Sequence, residues 1–188
     1  MRAKTWAMAG LSVGAALAFG SPAGADSAPY HQTAGDADLA YGCYLRSYDN
    51  AHLAAHPLQN VTRMTALAYR SGPAATAEHV LNLAIRFRAG GPDSEFPGVC
   101  RAMGAGAWAC SVECDGGSFT IKPSGAASIR IDLGAGVGGC DAELLDEKAF
   151  GSDDQVFRLD PAAAEDCRDL IWDDEKKSSL LKAFAVGR

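Results

Sequence analysis

The sequence predicts a mainly β domain, an antiparallel β-sandwich or closed β-barrel, framed by disulfides and interrupted by two or three short helices. Three observations predict it. Several segments alternate apolar and polar residues with a period of two. Gly/Pro-rich turns separate them with no regular βαβ rhythm. Six cysteines follow what reads as a removable export signal, so the thiols belong where disulfides persist.

The export signal occupies residues 1–25. Arg2 and Lys4 supply the cationic start, residues 6–19 an apolar run, and Ala23 and Ala25 the small side chains before a cut at Asp26. The run is too short for a comfortable bilayer span, no cysteine stands at the cut to carry a lipid, and no later segment is apolar enough to span. The expected location is periplasmic or extracellular. Cleavage leaves 163 of the 188 residues, enough for one domain with a core. Residues 26–37 read as a flexible lead-in, 38–172 as a single β-rich domain and 173–188 as a C-terminal tail.

The elements follow in order. Residues 39–47 and 60–70 are weaker strand candidates, with a short helix over 48–56 between them. Residues 81–88 (LNLAIRFR) give the clearest strand, with Leu81, Leu83, Ile85 and Phe87 on one face. Residues 108–114 (WACSVEC) and 128–133 (SIRIDL) repeat that pattern, and 118–122 and 155–159 are weaker versions of it. Turn chemistry separates them at 71–73, 90–93, 115–117 and 123–125. Cys114-Asp115-Gly116-Gly117-Ser118 gives the strongest hairpin signal. Residues 141–150 suit a helix. Asp160-Pro161 suits the start of another, with Asp160 as cap and Pro161 in the first turn. The tail suits a loose amphipathic helix.

Cys43, Cys100, Cys110, Cys114, Cys140 and Cys167 allow 15 pairings. If Cys110 and Cys114 share a strand, their α-carbons lie about 13 Å apart at roughly 3.3 Å per residue, beyond disulfide reach. The favoured set is Cys100–Cys110, Cys114–Cys140 and Cys43–Cys167. No CxxC pair supports a zinc or redox reading.

The whole chain carries a net charge of −6, and the signal holds two cations and no acid, leaving the remainder near −8. With no basic stripe interleaved with aromatics, nucleic acid is not an expected partner. The most suggestive constellation is Asp49, His52 and His56, which share a face of a helix and include two imidazoles four residues apart. Pro57 weakens it by driving His56 out of helical geometry, which leaves Asp49 as a simple N-cap. The Gly134–Gly139 run formally matches a dinucleotide loop but lacks its βαβ unit, and reads as a flexible loop. Arg86, Arg88 and Arg130 read as ordinary strand-surface arginines that could gather an anion. Tyr41, Tyr44, Tyr48 and Trp108 could floor an aromatic pocket. GxSxG occurs only as Gly10–Gly14 (GLSVG) inside the export signal, HExxH does not occur, and no acid/base pair stands at a readable spacing.

Residues 48–64 (YDNAHLAAHPLQNVTRM), 110–119 (CSVECDGGSF) and 153–167 (DDQVFRLDPAAAEDC) resemble a group of small exported bacterial proteins with no assigned activity. The resemblance spans most of the mature chain, implies an envelope location and transfers no site residues. The expectation is a monomeric, non-enzymatic domain without cofactor that binds a small ligand or an envelope protein through loops at 48–57 and 134–139. The alternative is a metal-dependent activity at Asp49, His52 and His56.

Overall fold

Pairing of the last strand with an early one decides between sandwich and barrel. A computed structural model describes residues 29–34, 38–73, 75–134, 136–138 and 150–186. Its strands are β1 (Gln32–Ala34), β2 (Leu39–Ser47), β3 (Val61–Ser71), β4 (His79–Phe87), β5 (Ser94–Gly104), β6 (Ala107–Val112), β7 (Ser118–Ser124), β8 (Ser128–Asp132) and β9 (Val156–Pro161). Each of β2 to β9 pairs antiparallel with the next, and β9 returns to β2, so eight strands close a barrel with β1 as an extra strand. Helix α1 (Asn50–Ala55) joins β2 to β3, while a 3-10 helix (Ala164–Leu170) and helix α2 (Asp174–Val186) follow β9.

Eight strands enclose an interior just wide enough for side chains to fill. Leu83, Phe96, Phe119, Ile121, Ile131 and Phe157 point inward from successive strands and are almost wholly buried in one cluster. Gly98 makes room for it: a β-carbon there would press on the Phe119 ring and the Leu81 carbonyl.

A second apolar cluster lies outside the barrel. Tyr41 and Cys43 of β2, Leu67 and Tyr69 of β3 and Ala84 of β4 face outward beneath Leu170, Leu180, Ala183 and Phe184. Those three strands are therefore buried on both faces. Asn82, expected on a polar strand face, is 2% exposed and donates its side-chain amide to the Leu170 carbonyl at 2.7 Å. The tail expected to be loose is thus part of the fold.

The barrel closes at a short seam. β9 meets β2 through two residue pairs, Tyr44↔Pro161 and Leu45↔Asp160. The Ala162 amide adds a bond to the Cys43 carbonyl at 2.9 Å. The Cys43–Cys167 disulfide, 124 residues apart in sequence, clamps this joint, and Cys100–Cys110 links directly opposed residues of β5 and β6. Both match the expected pairing. Cys114 is disulfide-bonded as well, and its expected partner Cys140 lies outside the described residues.

Several expectations are corrected. Residues 94–104, to which no element is assigned from sequence, form β5, with Pro97 and Gly98 in its middle. β6 ends at Val112, and Cys114 sits in the following turn with φ 57°, so Cys110 and Cys114 share no strand. Asp160 and Pro161 end β9 instead of starting a helix, because pairing with β2 claims them. Within the lead-in, Gln32–Ala34 pairs with β2. The helix expected over 141–150 lies outside the described residues, except for Phe150.

Opening the Cys43–Cys167 ring by a paired alanine substitution is expected to cost about 4–5 kcal/mol in the chain-entropy model, against about 3 kcal/mol for the short Cys100–Cys110 ring. Urea unfolding of the two paired variants checks the order, and an equal loss would show that the seam does not depend on its disulfide. Asn82→Leu strands the Leu170 carbonyl and is expected to cost about 1–3 kcal/mol, with faster amide exchange across α2.

Candidate functional site

Local sequence builds the α1 end of the barrel. Asp49 stands outside the helix, and its Oδ1 accepts the His52 amide hydrogen at 2.7 Å, as an N-cap should. His56 is the C-cap with φ −121°, out of helical geometry ahead of Pro57. The His52 and His56 rings nevertheless stack, with centroids 4.3 Å apart and planes 25° apart. Tyr48 stacks on the other side of His52 at 4.6 Å, and the Arg46 guanidinium lies over Tyr48 at 5.1 Å. The four side chains form one ladder, with Leu58 standing 59% exposed in the loop that follows α1.

The ladder rests on a polar clamp. His52 Nε2 donates to Gln59 Oε1 at 3.0 Å, and Gln59 Nε2 donates to the Val61 carbonyl at 2.7 Å. Arg88 reaches back from the end of β4 to the carbonyls of Leu53, His56 and Gln59, gathering the open C-terminal end of α1. Beneath them Asp154, 2% exposed, accepts the backbone hydrogens of Asn60, Val61 and Gly151. Burial raises the Tyr48 hydroxyl above the usual phenol range, an effect that Arg46 opposes. Sequence reasoning passed over Gln59 and finds in Asp154 only one of several carboxylates without an acid/base partner, because their partners are backbone groups brought close only by the fold.

For metal chemistry the arrangement offers little convergence. Near-parallel stacked rings do not aim their lone pairs at one point, Asp49 is engaged as a cap, and His52 Nε2 carries the hydrogen given to Gln59. Among the described residues no group of three potential ligands forms.

The remaining candidates separate in space. Arg86 pairs with Asp93 at 2.6 Å, and Arg88 belongs to the clamp. Arg130 lies apart from both, on the outer face of β8. Tyr41 lies under α2, whereas Tyr44 and Trp108 belong to the interior cluster. Gly138 of the glycine loop donates to the Gly116 carbonyl at 2.9 Å, and Val137 bridges Gly117, so the described part of the loop is tied to the β6–β7 turn.

One site was not foreseen. Where β1 leaves β2 and β9 takes over, a cavity of about 380 Å³ opens on Tyr41, Cys43 and Phe184, with His31, Gln32 and Glu165 among its lining. The segment leading into β1 is anchored across the barrel mouth. Tyr44 donates its hydroxyl to the Pro29 carbonyl at 2.7 Å. Tyr30 stacks on His79 and meets Trp108 edge-on. Gly42 permits this, since a β-carbon there would strike the Pro29 carbonyl. His31 Nδ1 lies 3.3 Å from the Tyr44 oxygen, whose one hydrogen is already given to Pro29, so Nδ1 is the donor.

Burial pushes the His31 imidazole below the ordinary histidine range. Such a base takes up its proton more readily when released, so its stabilising share is present above the ordinary value of about 6.5 and is lost as pH falls through the interval below. Exchange at the His31 amide, corrected for its intrinsic rate, is expected to quicken as pH falls below about 6.5. His31→Gln should flatten that dependence, and an unchanged profile would show that another group governs the strap.

No family model, curated protein or solved structure matches this chain.

Proposed function

We propose that this chain is an exported, non-catalytic recognition domain of the bacterial envelope that engages a partner protein through the α1 end of its barrel. The observation that carries the reading is the packed interior. With Leu83, Phe96, Phe119 and Ile131 filling the barrel, binding falls to the outer surface and the loop-bearing ends. At the α1 end, Arg46, Tyr48, His52, His56 and Leu58 combine arginine, aromatic and aliphatic side chains on a loop held by Arg88, Gln59 and Asp154. Residue types of this kind dominate interface energies, and holding them rigid beforehand lowers the entropy lost on binding. The export signal and disulfides support a periplasmic or extracellular site of action. No described helix is long and apolar enough to cross a membrane.

The seam cavity supports a second reading, a small ligand held between His31, Glu165 and the Tyr41–Phe184 floor, since its volume falls within the range of small-molecule sites. The metal-dependent reading rests on His52 and His56.

Amide shift mapping of the processed protein against fractionated envelope components separates these readings. Shifts at Arg46, Tyr48, His52, His56 and Leu58, weakened by Leu58→Ser with the unfolding temperature unchanged, are expected. Shifts confined to His31, Gln32 and Glu165 would move the function to the seam cavity, and stoichiometric zinc or copper lost in His52→Ala would favour the metal reading. Shifts centred on Leu83 and Phe96 would overturn the packed-interior premise.

A further inference from the structure

The outer face of β7, β8 and β9 carries an arrangement that pairing energetics disfavour. Ile121, Ile131 and Phe157 point inward, so Lys122, Arg130 and Arg158 point outward. Lys122 lies directly opposite Arg130, and Arg130 directly opposite Arg158. All three are exposed. Three cations thus stand in one row across three adjacent strands of a chain whose net charge is −6. Like charges directly opposite one another on a sheet destabilise it. Arg158 is compensated by Asp160 at 3.0 Å, a carboxyl held below its usual range chiefly by the Ser128 hydroxyl and also by Arg158 and Arg46. Among the described residues, Lys122 and Arg130 have no ion pair.

We propose that this row binds a linear anionic polysaccharide bearing one carboxylate per sugar. Neighbouring strands lie about 4.8 Å apart, so the row presents three cations along about 10 Å, further than a single small anion spans. The rows on either side each hold an acid. Thr120, Asp132 and Val156 form one row by register, and Asp160 bonds Ser128 in the other. An anionic membrane plane would meet both flanking carboxylates along with the cations, whereas a chain laid along the row meets Lys122 and Arg130 without an ion pair among the described residues, and Arg158 with its Asp160 partner. An extended acidic peptide presents same-face side chains only about every 6.8 Å, out of step with the strand spacing. Nucleic acid would want an aromatic platform for its bases, and the flanking residues are Thr120, Ser124 and Ser128. Remote acids do not veto the contact, because charges more than about 8 Å away are largely screened at physiological salt.

This binding face meets the α1 end only at Asp160, which pairs with Arg158 and reaches Arg46, and the variants below leave those three residues untouched, so either reading can fail without the other. The test titrates the processed full-length domain with polygalacturonate at low and at physiological salt. Binding that weakens with salt is expected, reduced about ten-fold in Arg130→Gln and lost in Lys122→Gln/Arg130→Gln. Lys177→Gln on α2 should bind as the parent does. Relief of like-charge contact should leave the unfolding temperature of the double variant equal to or above the parent's. The inference is overturned if the double variant binds as well as the parent, if phosphatidylglycerol vesicles or poly-glutamate bind more tightly than polygalacturonate, if nothing binds at low salt, or if removing the two cations lowers the unfolding temperature.

Discussion

The barrel depends on closing β2 against β9. Each strand would otherwise end the sheet with a row of unpaired backbone groups, a template for pairing with another chain. The joint is only two residue pairs long, since β1 occupies the same edge of β2 at Leu39–Tyr41. Such a short ladder does not carry closure unaided. Cys43 and Cys167 fix it covalently from outside the barrel, and Arg46 reaches Asp160 across it at 3.8 Å. The 3-10 helix holding Cys167 is thereby pinned over β2, and the path of the chain into α2 follows from that anchor.

Closure at this point divides the molecule into two unlike halves. Strands β2 to β4 lie under the C-terminal helices and bury both faces, with Asn82 turned to use as a tether. The later strands bury one face only and show the other to water, as an antiparallel sheet can. Three places on the described surface then stay open to contact: the outer face of the later strands, the seam cavity and the α1 end. Inside, the buried side chains of the later and earlier strands meet in one cluster.

What the sequence disclosed follows that division only in part. Residues 81–88 read most clearly although β4 is covered on both sides, because Asn82, Arg86 and Arg88 mark its outer face as polar. Residues 128–133 alternate strictly because β8 has one wet face, and the pattern was read directly. Residues 39–47 and 60–70 looked weaker because their second faces are also buried, which replaces alternation with a nearly continuous apolar run. β5 went unread because Pro97 and Gly98 are breakers by local propensity, while the Gly98 position is fixed by a ring from a distant strand. At the candidate site, the Asp49 cap and the displacement of His56 by Pro57 were legible because both are settled within a few residues. The grip of Arg88, the burial of Asp154 and the cation row are not local properties. The row exists only through register: Lys122, Arg130 and Arg158 have nothing in common until three strands are aligned.

Register also explains why such a row can persist. Opposed like charges cost about 0.2–1 kcal/mol per pair, and a sheet held only by its own ladder would feel that penalty in a stability of a few kcal/mol. Here the row lies on strands next to the closing joint, β9 itself among them, where the Cys43–Cys167 ring contributes about 4–5 kcal/mol in the chain-entropy model. The covalent clamp exceeds the electrostatic penalty several-fold, so the strands stay aligned while the cations repel. A scaffold whose weakest joint is covalent can hold uncompensated charge on its open face, and charge left uncompensated within the fold is what an anionic partner can neutralise.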